Sequence, residues 1–174
     1  MSLKVAIIGA GSVGFTRKLF RDILSVPELR ATEFAFTDIS SQNLDLVSQL
    51  CWKDLKYNDI STKLVATQDR REAVSDADYV INCSRIGGLE AFKHDIEIPL
   101  TYGVDQCVGD TICAGGIMYG QRNVPQILEF CSDIQNFSKP DALFLNYANP
   151  MAINTWAGLS QTNLRMVGLC HGVT

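Results

Sequence analysis

Residues 4–8, Lys-Val-Ala-Ile-Ile, form a short apolar run that ends on Gly9-Ala10-Gly11-Ser12-Val13-Gly14, and helical spacing begins directly after it. No other junction in the chain constrains the fold as tightly. An apolar run of this length, stopped by glycine, reads as a strand buried on both faces of a sheet. From Ser12 the residues Val13, Phe15, Leu19, Phe20, Ile23 and Leu24 recur at near-helical spacing until Pro27. A doubly buried strand that turns through glycines into a helix belongs to parallel sheets covered by helices.

The alternation continues to the last residues. Further strands are predicted at 33–37, 62–66, 78–83, 142–147 and 165–169. A helix from about Ser41 places Leu44, Leu46, Val47 and Leu50 for burial, and a short polar helical turn separates the third and fourth strands. A helical stretch over 89–102 is interrupted at Pro99, and a glycine-rich segment over 103–120 precedes a helix through Ile127, Phe130, Cys131 and Ile134. Pro150 falls where the first turn of a helix accepts proline. This order predicts an α/β fold, a Rossmann-type doubly wound parallel sheet with helices on both faces. Right-handed crossovers then arrange the strands 3-2-1-4-5-6. With no repeat, low-complexity tract or linker, residues 1–174 read as one domain.

The glycine run carries chemistry as well as shape. Gly-x-Gly-x-x-Gly between a strand and a helix is a dinucleotide fingerprint. Gly9 permits the tight turn, Gly11 lets the backbone approach a pyrophosphate, and Gly14 lets helix and strand pack closely. Ser12 opens the helix whose free amides receive the pyrophosphate. Asp38 ends the second strand, 24 positions after Gly14, where a carboxylate can hold both ribose hydroxyls. It would repel a 2′-phosphate, and Ile39-Ser40-Ser41 offers no cation to welcome one, so NAD is favoured over NADP. The plainer alternative is that the glycines only shape a turn and Asp38 caps the next helix.

Composition narrows the remaining classes. Hydrophobic residues make up 47% and charged residues 20%, ordinary globular usage that excludes disorder. Fifteen basic against 19 acidic residues give a net charge of −4, so no basic footprint for nucleic acid exists. No apolar run reaches the ~20 residues of a membrane span. The start lacks the pattern of a signal peptide, and the six cysteines form no Cys-x-x-Cys pair. They read as reduced thiols of a cytoplasmic protein.

Ligands of such sheets bind beyond the carboxyl ends of the strands, where three more segments fall. Ser84-Arg85-Ile86-Gly87-Gly88 is a turn that could cover a cofactor. Asn146-Tyr147-Ala148-Asn149-Pro150 presents amides that both donate to and accept from hydroxyls, or that serve only turn and cap chemistry. Cys170-His171 offers a thiolate and an imidazole, both ligands of soft or borderline divalent ions, or else a buried thiol and a capping histidine. His94, beside Lys93 and Asp95, reads as solvated. The loop from Val108-Gly109-Asp110-Thr111 to Gly115-Gly116 is a substrate lip or a mobile connection, with Arg122 a natural partner for Asp110.

Taken in order, these blocks resemble glycoside hydrolase family 4, and most of all its alpha-galactosidases (melibiases). The blocks are Gly-Ala-Gly-Ser after the first strand, Asp110-Thr111 with Gly115-Gly116-Ile117, Asn146-Tyr147-x-Asn149-Pro150-Met151-Ala152-x-Asn154-Thr155-Trp156-Ala157, and Val167-Gly168-Leu169-Cys170-His171. The resemblance implies a glycosidase that uses NAD and a divalent metal, usually manganese, and that departs from two-carboxylate hydrolysis. It implies oxidation of the sugar at C3 by NAD, removal of the acidified C2 proton, elimination of the aglycone, addition of water and return of the hydride. Matched motif by motif, Gly9, Gly11, Ser12, Gly14 and Asp38 carry NAD, Cys170 is a metal ligand, and Asn149, His171 and Asp110 contact the sugar. The family's second metal ligand, a histidine, and its tyrosine base lie beyond residue 174. The chain is therefore expected to be the NAD-binding Rossmann portion of a longer homo-oligomeric enzyme, without the C-terminal domain that completes the site, and inactive alone. An alpha-galactoside is the expected substrate. Gly172-Val173 stands where a melibiase carries serine, which keeps an alpha-glucuronidase or alpha-glucosidase of the family as the alternative. Outside the family, a lactate/malate-type dehydrogenase or a nucleotide-sensing domain would share the architecture.

Overall fold

The computed structural model describes residues 3–106 and 110–170. Its elements run β1 (Lys4–Ile8), α1 (Val13–Ser25), β2 (Glu33–Thr37), α2 (Ser41–Tyr57), β3 (Leu64–Thr67), α3 (Arg70–Val74), β4 (Tyr79–Asn82), α4 (Gly88–Thr101), α5 (Ala114–Phe137), β5 (Leu143–Asn146), α6 (Met151–Gln161) and β6 (Arg165–Gly168). A short 3₁₀ turn, Pro27–Leu29, joins α1 to β2. The six strands form one parallel sheet in the order β3-β2-β1-β4-β5-β6, as the alternation predicts. Register brings Thr67, Thr37, Ile8, Asn82, Asn146 and Gly168 into one row at the carboxyl edge. That row is the floor of the site described below.

Successive residues of β1 point to opposite faces. Val5 and Ile7 join Phe20 and Leu24 of α1, Phe34 and Phe36 of β2, and Leu44, Val47, Cys51 and Leu55 of α2. Ala6 and Ile8 join Val80, Phe144, Ala73 and Val74 of α3, and Ile127, Phe130, Cys131 and Ile134 of α5. On the first face Phe20 meets Phe34 edge-on at 4.7 Å between centroids, and Phe36 at 5.9 Å. Such geometry suits the ring quadrupoles. No helix among the described residues is long and apolar enough to cross a membrane.

The structure corrects several sequence expectations. The buried stripe of α1 is Thr16, Phe20 and Leu24, so Val13 and Phe15 are exposed, as is Leu46 on α2. Apolar character alone does not fix which side of a helix meets the sheet. Pro150 is the N-cap of α6 rather than part of its first turn. Helix α4 runs through Pro99 without interruption. A proline has no N–H for the carbonyl four residues earlier. That carbonyl belongs to Asp95, and the Gln106 side-chain amide donates to it at 2.9 Å.

Helix α5 begins at Ala114, inside the segment read as a glycine-rich loop. Gly115, Gly116 and Gly120 are buried helical residues and not a lip. A Cβ on Gly116 would strike the backbone of Thr111, and one on Gly120 would lie 2.9 Å from Ile153 of α6. Close packing, not turn formation, explains these two glycines.

Phe20 has no exposed surface and contacts both strand phenylalanines. Phe20→Ala is expected to cost about 3–5 kcal/mol, the range for truncating a buried aromatic. Urea denaturation should show a lowered midpoint with an unchanged slope.

Candidate functional site

The site grows from the turn after β1. Gly9 adopts φ +81°, and a Cβ there would lie 2.5 Å from the Ser84 nitrogen. Both conformation and space therefore require glycine. The Gly9 and Ala10 amides donate to the Thr37 carbonyl at 3.0 Å each, which brings the ends of β1 and β2 together. Gly11 then donates to Asp38 Oδ2 at 2.8 Å, and a Cβ on it would crowd Asn43 and Asp38. Its amide is thus committed to the carboxylate rather than left for a pyrophosphate. Gly14 faces open space within 4 Å, so the expected close packing of helix on strand does not occur there.

Ser12 is the N-cap of α1, with no side-chain bond to the helix. The first-turn amides of Val13, Gly14 and Phe15 have no acceptor among the described residues. A helix N-terminus of this kind favours an anion through free N–H groups and the aligned peptide dipoles. Asp38 stands beside it and also accepts from the Ser40 amide at 2.8 Å. The N-cap of α2 is Ser40, whose hydroxyl accepts from the Asn43 amide, so the capping role considered for Asp38 is filled by another residue. Each Asp38 oxygen keeps acceptor capacity for a hydroxyl.

One cavity of about 1430 Å³ joins this turn to the ends of the later strands. Gly9, Gly11, Ser12 and Asp38 line one part, and Ser84 and Arg85 another. Asp110, Tyr119, Asn149 and Cys170 line the rest. Its volume exceeds the ~300–1,000 Å³ of an ordinary small-ligand pocket. Asn149 Nδ2 donates to Asp110 Oδ2, which leaves Asn149 Oδ1 as the free acceptor of that amide. Arg85 stacks its guanidinium 4.8 Å over Phe92 and 5.9 Å over Tyr119.

The expected Asp110–Arg122 pair does not form. Arg122 makes two bonds to Asp95, at 3.1 and 2.5 Å, and Nε donates to the Ile86 carbonyl. Asp95 lies on the buried face of α4, where α5 packs directly against it, whereas Asp110 turns to Asn149. The hydrogen bond to Asp95 raises the Arg122 pKa further. Burial raises that of Tyr119 despite both neighbouring arginines. His94 is exposed as expected.

A dinucleotide suits this arrangement on three counts: a free helix N-terminus, a carboxylate beside it, and the volume of the cavity. A metal does not find a complete site. Cys170 is exposed at the cavity rim, and among the described residues no group of three His, Cys, Asp or Glu could hold an ion. His171, with Val108, Gly109, Gly172 and Val173, lies outside the described residues. Sequence reasoning missed the Arg85–Phe92–Tyr119 stack and the Asp95–Arg122 pair. The proline four residues after Asp95 was the one local sign that its neighbourhood needed outside partners.

Residues 4–174 match the profile of the Family 4 glycosyl hydrolases. The chain belongs to that family. It is 61% identical over 172 residues to an alpha-galactosidase of Rhizobium meliloti (strain 1021), covering 99% of this chain and 35% of that enzyme. An alpha-galactosidase of Bacillus subtilis (strain 168) is 40% identical over 173 residues, covering 98% of this chain and 39% of that enzyme. Among solved structures, a 6-phospho-beta glucosidase of Thermotoga maritima with manganese, NAD+ and glucose-6-phosphate superposes with a TM-score of 0.86 at 26% identity. That match covers 98% of this chain and 40% of the other. The family 4 chain thus spans little more than a third of the length of the curated relatives it matches.

Burial separates the thiols of this family 4 chain. It pushes Cys83, in the cavity wall, up to about 12, and Cys131 to about 11. Cys51 is also pushed up to about 12, chiefly by burial. A thiol with a pKa of 12 is thiolate in only about one molecule in 10⁴ at pH 8, and the thiolate is the reactive form. Iodoacetamide at pH 8 should therefore label exposed Cys170 well before Cys51, Cys83 or Cys131, as read by peptide mass spectrometry.

Proposed function

We propose that this chain is the cofactor-binding portion of a longer family 4 glycosidase that cleaves alpha-galactosides with NAD and a divalent metal, usually manganese. The observation that carries the reading is the single cavity joining Asp38 and the α1 N-terminus to Asn149 and Cys170. A dinucleotide and a sugar can meet in such a space. The galactoside preference rests on the two alpha-galactosidases among the relatives. Gly172 favours a second reading, an alpha-glucoside or alpha-glucuronide as substrate.

The roles combine this geometry with the family resemblance. Free amides at Val13, Gly14 and Phe15 hold the pyrophosphate without a charged side chain. Asp38 accepts from the ribose hydroxyls and repels a 2′-phosphate. Gly9 and Gly11 contribute by shape, keeping the turn close to Ser84 and Asp38. When bound, NAD supplies a hydride acceptor at the oxidised sugar carbon. Asn149 accepts a sugar hydroxyl at Oδ1, while Asp110 holds one of its two N–H groups. Asp110 is thereby a holder of Asn149 as well as a sugar contact. Cys170 would be one metal donor, and the remaining donors, His171 and a proton-removing base would come from outside the described residues. Because the chain matches only 35% and 39% of the two alpha-galactosidases, it is proposed to be inactive alone.

Two measurements test this reading. Calorimetric titration of the chain should show NAD binding roughly 10- to 100-fold more tightly than NADP, with Asp38→Ala losing most of that preference, as expected for one or two hydrogen bonds to a charged group. An equal or reversed preference would remove Asp38 from its role. On the full-length enzyme, nitrophenol release from an alpha-galactoside should collapse when NAD or metal is withheld, and the 174-residue chain should show none. Hydrolysis that persists without NAD would overturn the mechanism.

A further inference from the structure

We infer that a buried amide pair, Asn82 and Asn146, sets the position of the sugar relative to the cofactor. The inference rests on the function proposed above. Asn82 ends β4 and Asn146 ends β5, and the two are register partners in the last row of the sheet. Neither has any exposed surface, and neither lines the cavity. They are therefore positioning residues.

Each amide shapes the turn that follows its own strand. Asn82 Oδ1 accepts from the Ser84 amide at 3.0 Å and the Ser84 hydroxyl at 2.7 Å. This fixes the turn whose Ser84 and Arg85 line the cavity beside Gly9. Asn146 Oδ1 accepts from the Ala148 amide at 3.3 Å, and Asn146 Nδ2 donates to the Ala148 carbonyl at 3.0 Å. Asn154 Nδ2 of α6 donates to the same carbonyl at 3.2 Å. This fixes the turn that presents Asn149.

The two turns are joined by one bond. Asn82 Nδ2 donates to Asn146 Oδ1 at 2.9 Å, so the cofactor-side and sugar-side turns share one buried network. The pattern is directional. With Asn82 Oδ1 occupied by Ser84, only its nitrogen is left to face Asn146. An amide flip at either residue would put oxygen against oxygen or nitrogen against a donor, leaving buried polar groups unpaired. The relative placement of the two turns is thus over-determined from beneath the cavity. Hydride transfer between a sugar carbon and a nicotinamide depends on that placement, where an error of about 1 Å can cost ~10²-fold in rate.

The test uses the full-length enzyme and a nitrophenyl alpha-galactoside carrying hydrogen or deuterium at C3. Asn82→Asp keeps the acceptor for Ser84, removes the donor to Asn146 and sets oxygen against oxygen there, so it breaks the link. Asn82→Ser is assayed in parallel. It caps Ser84 more weakly, cuts the same link, and buries no charge if the carboxylate hinders folding. For either variant, kcat is expected to fall about 10- to 100-fold. The deuterium effect on kcat should rise as hydride transfer becomes slower, with the NAD Kd and the sugar KM within about threefold of the wild type. A lowered melting temperature and kcat with an unchanged isotope effect would mean only a smaller active fraction, and would overturn the inference. Wild-type hydrolysis without NAD would overturn the proposed function and this inference with it.

Discussion

The structure depends on how closely the first turn passes beneath the end of β4. At Gly9 the backbone has a left-handed φ and no room for a Cβ against Ser84. Because the chain fits there, the Gly9 and Ala10 amides reach the Thr37 carbonyl, and Gly11 reaches Asp38. Helix α1 then starts with its unpaired amides aimed over the carboxyl edge of the sheet. A side chain at residue 9 would push apart β1, β2 and β4 at the row that supports every feature of the cavity.

Buried polarity does the complementary work. The sheet is apolar through its middle, where Ala6, Ile7, Val80, Ile81 and Phe144 pack against helices on both faces. At its carboxyl edge the buried residues turn polar, with Thr37, Asn82 and Asn146. Such groups are costly unless satisfied, and here each asparagine amide spends its capacity on neighbouring turns. The Asp95–Arg122 pair acts alike on the other side, since Arg122 also holds the Ile86 carbonyl. Loops that line the cavity are thereby fastened to rigid elements.

The fold was legible because its signals are local and repeated. Apolar runs, glycine stops and helical spacing predicted all six strands, with ends differing by one or two residues, and their order. Motif and strand end coincide at Asp38, and the family resemblance singles out Asn149; both line the same cavity. What sequence hid was partnership across the fold. Nothing near Asp110 distinguishes Arg122 from Asn149 as its partner, since the choice depends on how α4 lies against α5. Gly14 was read through its motif, but open space surrounds it. In sequence the helical glycines of α5 look like a loop, because glycine signals a turn unless a close neighbour is known.

Those α5 glycines have an energetic consequence. Glycine inside a helix costs about 1 kcal/mol relative to alanine, through lost backbone entropy. Gly115, Gly116 and Gly120 fall within the first seven residues of a 24-residue helix, so its two ends differ in intrinsic stability. The far end, with Ile127, Phe130 and Ile134 in the core, is held by the sheet. The near end stays helical through its fit against Thr111 and Ile153. The first turns of α5 are therefore helical by their fit to neighbours and not by their own propensity, so a change at Thr111 or Ile153 would be felt there as lost helix.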